Sequence, residues 1–256
     1  MSRKFIVLRV SAGMLFAAIL LPRVGAAADY QFQLQDWPHD TRGHLVTGGE
    51  ALDFQDDLNI GRRNDPRFVF TMSRHRGGPE LQISYSAVDG KGSDTVDRDI
   101  VFGPLVLHAG TSHVETKGSF QDYDATLRWS FRSSDSDRYV AFAPGLTLKR
   151  VQGDVTVTDT TAGTHDRSNY GIFFPELHAA VEWRPFSRLR LASEVQGLAY
   201  QGSSAEEWRI GAGFAPLRSL WLTAGYQDKR YKVSGSGDDL HARLTGALFG
   251  LAYELR

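Results

Sequence analysis

From Asp122 to Leu148 the chain alternates apolar and polar residues in two long runs joined by a polar turn, the pattern of a β-hairpin. In the first run Tyr123, Ala125, Leu127, Trp129 and Phe131 share one face; Asp122, Asp124, Thr126, Arg128 and Ser130 share the other. In the second, Val140, Phe142, Leu146 and Leu148 oppose Tyr139, Ala141, Ala143, Gly145, Thr147 and Lys149. A period of two excludes a helix for either run.

The same period recurs along the chain and predicts eight further strands: residues 29–36, 67–73, 81–87, 170–183, 188–200, 208–214, 220–233 and 241–255. Polar, glycine-bearing stretches over 37–65, 89–118 and 152–169 read as long loops after the first, third and fifth strands. Within the second loop the apolar piece Ile100 to Leu107 is expected to pair as a hairpin above the body of the protein. The other connections are short. In an antiparallel meander all odd connections fall on one side and all even ones on the other, which is how barrels with short periplasmic turns and longer external loops are built. The predicted fold is all-β, a transmembrane antiparallel up-and-down barrel of about ten strands. A soluble sandwich or a lipocalin-type barrel fits the same alternation with the dry and wet faces exchanged.

The beginning of the chain bears on that choice. A basic start (Arg3, Lys4, Arg9), an apolar run from Val10 to Leu21 and the small residues Ala26, Ala27 and Ala28 have the form of a secretory signal peptide over residues 1–28. That run is shorter than the roughly 20 residues a helix needs to cross a bilayer. Residues 29–256 then form one domain. They carry 25 basic and 30 acidic residues, a net of −5, which is no footprint for nucleic acid. With no cysteine the chain has no disulfide framework and no thiolate metal site.

Several segments, LDFQDDL at 52–58, YDATLRW at 123–129, LAYQG at 198–202, TAGYQDKRYKV at 223–233 and GALFGLAYEL at 246–255, resemble a family of small, largely uncharacterised outer-membrane β-barrel proteins of Gram-negative bacteria. The resemblance implies a cell-envelope protein of the outer membrane, export by the general secretory route, outer-membrane lipids as surroundings and the outer-membrane assembly machinery as a partner in biogenesis. It departs from the family where Arg256 follows the alternating Phe249, Leu251, Tyr253 and Leu255, and in the basic turn Arg74 to Glu80.

Chemistry has two candidate locations. On the barrel reading Asp122, Asp124, Arg128, Glu176, His178, Glu182, Arg190, Glu194 and Arg209 face the lumen, where opposite charges on neighbouring strands would pair and fill it. Glu176 and His178 share a face, so a carboxylate is placed to tune an imidazole. The loops hold His39, Asp40, His44, His108, His113, Asp154 and His165, of which His39, Asp40 and His113 could assemble an acid–base site at the rim. No motif demands a mechanism, a metal or a cofactor, and none is expected. The in-strand glycines Gly211, Gly213, Gly225, Gly246 and Gly250 read as relief of crowding or as points of strand curvature. The expected protein is a monomer with a structural or surface-binding role; the alternatives are a rim enzyme acting on outer-membrane lipid or peptide and a narrow channel for a small solute.

Overall fold

The computed structural model describes residues 28–47, 50–57, 62–74, 78–102, 104–134, 136–200, 202–234 and 239–255. The signal peptide reading falls outside the described residues except for Ala28, which opens the first strand. Residues 75–77 of the basic turn also lie outside them.

The strands are β1 (Ala28–Thr47), β2 (Glu50–Asp53), β3 (Arg63–Arg74), β4 (Gly78–Thr95), β5 (Ile100–Phe102), β6 (Leu105–Leu107), β7 (His113–Arg132), β8 (Tyr139–Asp159), β9 (Thr164–Phe186), β10 (Leu189–Tyr200), β11 (Ser203–Leu217), β12 (Leu220–Ser234) and β13 (Asp239–Leu255). Ten of them, β1, β3, β4 and β7 to β13, hydrogen-bond in order, and β13 returns to β1 from Tyr30↔Leu255 to Val46↔Asp239. The sheet is therefore closed and has no edge at membrane level, which is what lets a β-structure satisfy its backbone in lipid.

Large apolar side chains stand exposed on the outside: Leu34, Leu127, Phe142, Leu177, Ile210 and Leu251 are each 44–65% accessible. Aromatic residues border this belt, with Trp208 against Tyr226 (5.5 Å) and Tyr85 against Tyr123 (4.9 Å) at one edge, and Trp129, Trp183 and Tyr253 exposed toward the other. A soluble sandwich or lipocalin-type barrel would bury these residues; here they form the face that lipid covers.

The strands are longer than the alternation alone indicates. Residues 152–169 are not a loop: β8 and β9 pair without a break from Tyr139↔Arg184 to Asp159↔Thr164. Gly153, Asp154 and the threonines suggest a loop, but Val151 and Val157 are buried inside, and an inward apolar face with a solvated outer face is enough to hold a strand. At roughly 3.3 Å per residue, 21-residue β8 is about 70 Å long, so about half of it rises beyond the bilayer. β1 likewise continues through Trp37 and Pro38 to Thr47; its ladder to β13 skips only these two residues, where proline lacks the N–H a ladder needs.

The wall is not uniformly high. Pairing of β3 with β4 stops at Arg67↔Ser86, and pairing of β10 with β9 stops at Gly197↔Leu177. Above those points β4, β7, β8 and β9 continue as one leaf, and the remaining strands as another. The hairpin β5–β6, expected above the barrel from its apolar sequence, forms from Ile100↔Leu107 to Phe102↔Leu105 and closes the mouth between the leaves. Its Ile100, Phe102 and Leu107 are fully buried against Trp37, Leu45 and Val157. The barrel thus has an apolar plug at its external end and polar side chains below.

Candidate functional site

The lumen charges fall into three tiers. Below the apolar plug, Lys149 Nζ lies 2.6 Å from Asp124 Oδ1, 3.2 Å from Asp122 Oδ1 and 3.3 Å from Glu207 Oε2. Lys229 Nζ reaches Asp122 Oδ2 at 2.5 Å, and Tyr231 Oη donates to the same oxygen at 2.8 Å. Asp122, Asp124 and Glu207 bring carboxylate oxygens within 4.8 Å of one another, a spacing suited to a cation. The two lysine ammonium groups already supply it.

In the middle tier Arg128 pairs with Glu80 (2.8 Å) and Glu194 (3.4 Å), and Arg209 with Glu194 (3.1 Å) and Glu207 (3.0 Å). Buried Arg67 donates Nη1–H to Gln35 Oε1 at 2.7 Å. In the tier nearest the short turns, Glu182 accepts from Tyr139 Oη (2.5 Å) and Arg184 Nε (3.0 Å). Arg184 and Arg190 both stand over the Trp221 indole, 5.0 and 4.6 Å from its ring, and Trp221 Nε1–H donates to Glu254. Between these tiers remains a cavity of about 110 Å³ bordered by Gln31, Gln33, Arg128, Arg190 and Thr223.

All nine lumen residues expected from alternation therefore sit on the inner face. Their partners Lys149, Glu207, Lys229, Tyr231 and Glu80 are additional, as is buried Arg67 beside them. The signal for most of them was present: Lys149 lies on the polar face opposite Leu146 and Leu148, and Glu207 shares parity with Arg209. Glu176 and His178 are both buried and face the lumen, but no hydrogen bond joins them. His178 Nδ1 faces Gln196 Oε1 at 3.3 Å, while His178 Nε2 and both Glu176 carboxylate oxygens have no hydrogen-bond partner among the described residues.

These two residues lie beside an opening in the wall. Above Gly197↔Leu177 the strands β9 and β10 part, leaving a lateral cleft of about 430 Å³ bordered inside by His178, Gln196 and Glu207 and outside by Leu177, Val195 and Trp208.

The loop histidines are placed differently from expectation. His39, Asp40 and His44 belong to β1, His113 opens β7, Asp154 is in β8 and His165 in β9; only His108 lies outside the strands, in the turn after β6. The reason is the strand extension described above. His39 is buried, stacked on Trp37 at 4.4 Å, with Nε2 3.8 Å from Asp65. His113 is exposed and faces Ser93 and Thr95 at 3.1 and 3.3 Å. β3 and β4 separate the two in the wall, so His39, Asp40 and His113 do not assemble one site. His44 stacks on His241 at 4.6 Å, His108 faces Asp99 at 3.6 Å, and Asp154 pairs with Arg167 at 3.4 Å.

No protein-family model matches the sequence, and comparison with curated proteins finds no match. Solved structures do match. The outer membrane protease OmpT of Escherichia coli superposes with a TM-score of 0.55 over 92% of this chain and 99% of its own, at 8% identity. This chain has the fold of an outer-membrane β-barrel protein. The translocator domain of the autotransporter NalP from Neisseria meningitidis (TM-score 0.40, 10% identity, 96% and 95% of the two chains) and the attachment invasion locus protein Ail of Yersinia pestis (0.38, 9%, 90% and 99%) are also similar, but too loosely to add to the argument. At these identities the likeness concerns the fold. In an outer-membrane barrel the short turns are periplasmic and the long extensions external, so the apolar plug, the lateral cleft and the β8–β9 projection of this barrel face the outside of the cell.

Proposed function

We propose that this protein is a closed, non-conducting barrel of the outer membrane with a structural or surface-binding role, presenting the external leaf of β4, β7, β8 and β9. The observation that carries this reading is the filled interior: an apolar plug sits over a lysine–carboxylate tier whose members are 1–5% exposed. Ion flow would require breaking pairs that are desolvated together, and removing one partner of a buried pair typically costs about 3–5 kcal/mol. The test is a planar-bilayer recording of the refolded chain. Absence of discrete conductance is expected, and steady unitary currents would replace this reading with that of a narrow solute channel.

A second reading, an enzyme acting on membrane lipid, is favoured by one feature. The cleft between β9 and β10 opens toward the bilayer surface beside His178, whose Nε2 has no partner among the described residues. On that reading His178→Ala abolishes release of fatty acid or headgroup from outer-membrane lipid extracts while leaving the folded barrel intact. A wild-type chain that releases neither ends it.

A further inference from the structure

One lateral row on the outside of the barrel violates the rule that like charges avoid facing positions on neighbouring strands. Arg230 of β12 is directly opposite Arg243 of β13, and Arg243 is directly opposite Arg42 of β1. Three guanidinium groups therefore originate side by side across three strands spaced about 4.8 Å apart. The next row outward adds Lys232, His241 and His44.

The row is positioned as well as charged. Asp228 lies on the same outer face, two residues nearer the membrane, and is buried beneath two of the arginines. It accepts from Arg243 Nη2 at 2.7 Å and Nε at 3.3 Å, and from Arg230 Nη2 at 3.2 Å and Nε at 3.3 Å. One carboxylate thus neutralises half of the charge it orders, while the two arginine side chains remain about half exposed, at 51% and 50%. Their side chains reach back toward Asp228, which brings the guanidinium groups to the level just outside the Trp208–Tyr226 pair at the edge of the lipid belt. Glu206 is in register with Arg230 but forms no ion pair with it, and Asp40 faces Thr245 one row nearer the membrane. A groove of about 320 Å³ runs over Arg42, Arg230, Lys232, His241 and Arg243. Gly43 permits the close approach of β1 to β13 at this groove: its φ is +135°, and a Cβ there would overlap the His241 carbonyl oxygen.

We infer that the outer face of β12, β13 and β1 binds the phosphate of a lipid headgroup in the external leaflet. Arginine forks match phosphate oxygens in pairs, a phosphate monoester offsets the repulsion that the row otherwise carries, and Tyr226, Phe249, Leu251 and Leu34, exposed directly toward the membrane from it, supply the surface for the acyl chains. The ligand is assigned as a lipid rather than free phosphate because these exposed apolar side chains lie on the same outer face of β12, β13 and β1, on the membrane side of the arginine row.

The test uses the full refolded chain in zwitterionic detergent, titrated with phosphatidic acid, with phosphatidylcholine and with inorganic phosphate, and bound lipid is counted by native mass spectrometry. Phosphatidic acid is expected to bind at least about tenfold more tightly than phosphatidylcholine, and Arg42→Gln, at an exposed position, to reduce that preference several-fold. Arg243→Lys keeps the charge but loses the fork and is expected to lie between the two, with the heat-modifiable gel mobility of each variant confirming a closed barrel. Equal binding of the two lipids, or unchanged preference in folded Arg42→Gln and Arg243→Lys, would overturn the inference. Inorganic phosphate displacing phosphatidic acid at equal concentration would overturn its assignment to lipid.

Discussion

Lys149 Nζ lies 2.6 Å from Asp124 Oδ1 on the neighbouring strand, with the two side chains 1% and 5% exposed. The same ammonium group serves Asp122 and Glu207, so three carboxylates from two distant parts of the sequence converge on one cation. Lys149→Met removes that cation and leaves the carboxylates desolvated, with Lys229 on Asp122 and Arg209 on Glu207 as the remaining cations. A loss of about 3–5 kcal/mol is expected, measured by urea unfolding from lipid vesicles with tryptophan fluorescence. A loss below about 1 kcal/mol would show that the tier is hydrated and not held by charge.

The two faces of β7 predict opposite responses at adjacent positions. Leu127 is 44% exposed toward lipid, and Leu127→Arg is expected to cost about 2–4 kcal/mol, the usual penalty for a cation at the bilayer midplane. Thr126 is buried in the lumen with its hydroxyl 2.8 Å from that of Thr147; Thr126→Val removes that one hydrogen bond and should cost about 1 kcal/mol. Vesicle insertion yields and unfolding midpoints distinguish the two, and equal effects would contradict the face assignment.

The seam that closes the barrel depends on a missing side chain. A Cβ at Gly246 would overlap the Pro38 carbonyl oxygen and lie 2.6 Å from His39 Cα, both on β1. Gly246→Ala is therefore expected to destabilise the β1–β13 seam by about 1–3 kcal/mol, the range for overpacking. Gly171 on β9 has nothing within 4 Å of the same atom, so Gly171→Ala should be close to neutral. The temperature at which each barrel loses its compact gel mobility reads the difference.

At the external tip, Asp159 accepts hydrogen bonds from Ser112 Oγ (2.7 Å) and from the Thr161 and Ala162 amides (2.8 and 3.1 Å). Burial opposes its charge, but these bonds outweigh burial and hold the carboxyl below its ordinary range. A carboxyl lowered on folding contributes stability above its unfolded pKa of about 3.9 and loses it as the pH falls through its folded value. Amide exchange at Thr161 and Ala162 should therefore stay slow at neutral pH and quicken in acid beyond the intrinsic trend. In Asp159→Asn that extra pH dependence should vanish.

The lid has a measurable role of its own. Phe102 of the β5–β6 hairpin is 1% exposed and packs in the plug with Trp37 and Leu45. Phe102→Ala is expected to cost about 3–5 kcal/mol in that local core, seen as faster proteolysis over residues 96–112 with the heat-modifiable barrel retained. Simultaneous loss of the barrel would mean that the plug and the wall unfold as one unit.

Alternation by itself determined the ten strands of the barrel wall and the direction of the side chains over the stretches where it runs, because a period of two admits only two faces and large aromatics beside charged residues label which is which. It placed Asp122, Asp124, Arg128, Glu194 and Arg209 together on the inner face, and it located the β5–β6 hairpin from a short apolar piece. It understated the height of the wall. Over Gly153 to Asn169 and beyond Pro38, loop-forming residues outnumber apolar ones, and the strands persist because neighbours supply ladder partners and Val151 and Val157 find an interior. What only the tertiary structure decided is which residues meet across the closed sheet. Lys229 reaches Asp122 across 107 positions of sequence, and Arg42 faces Arg243, because the last strand returns to the first. Register around a closed barrel is set by all ten strands together, and no local pattern carries it.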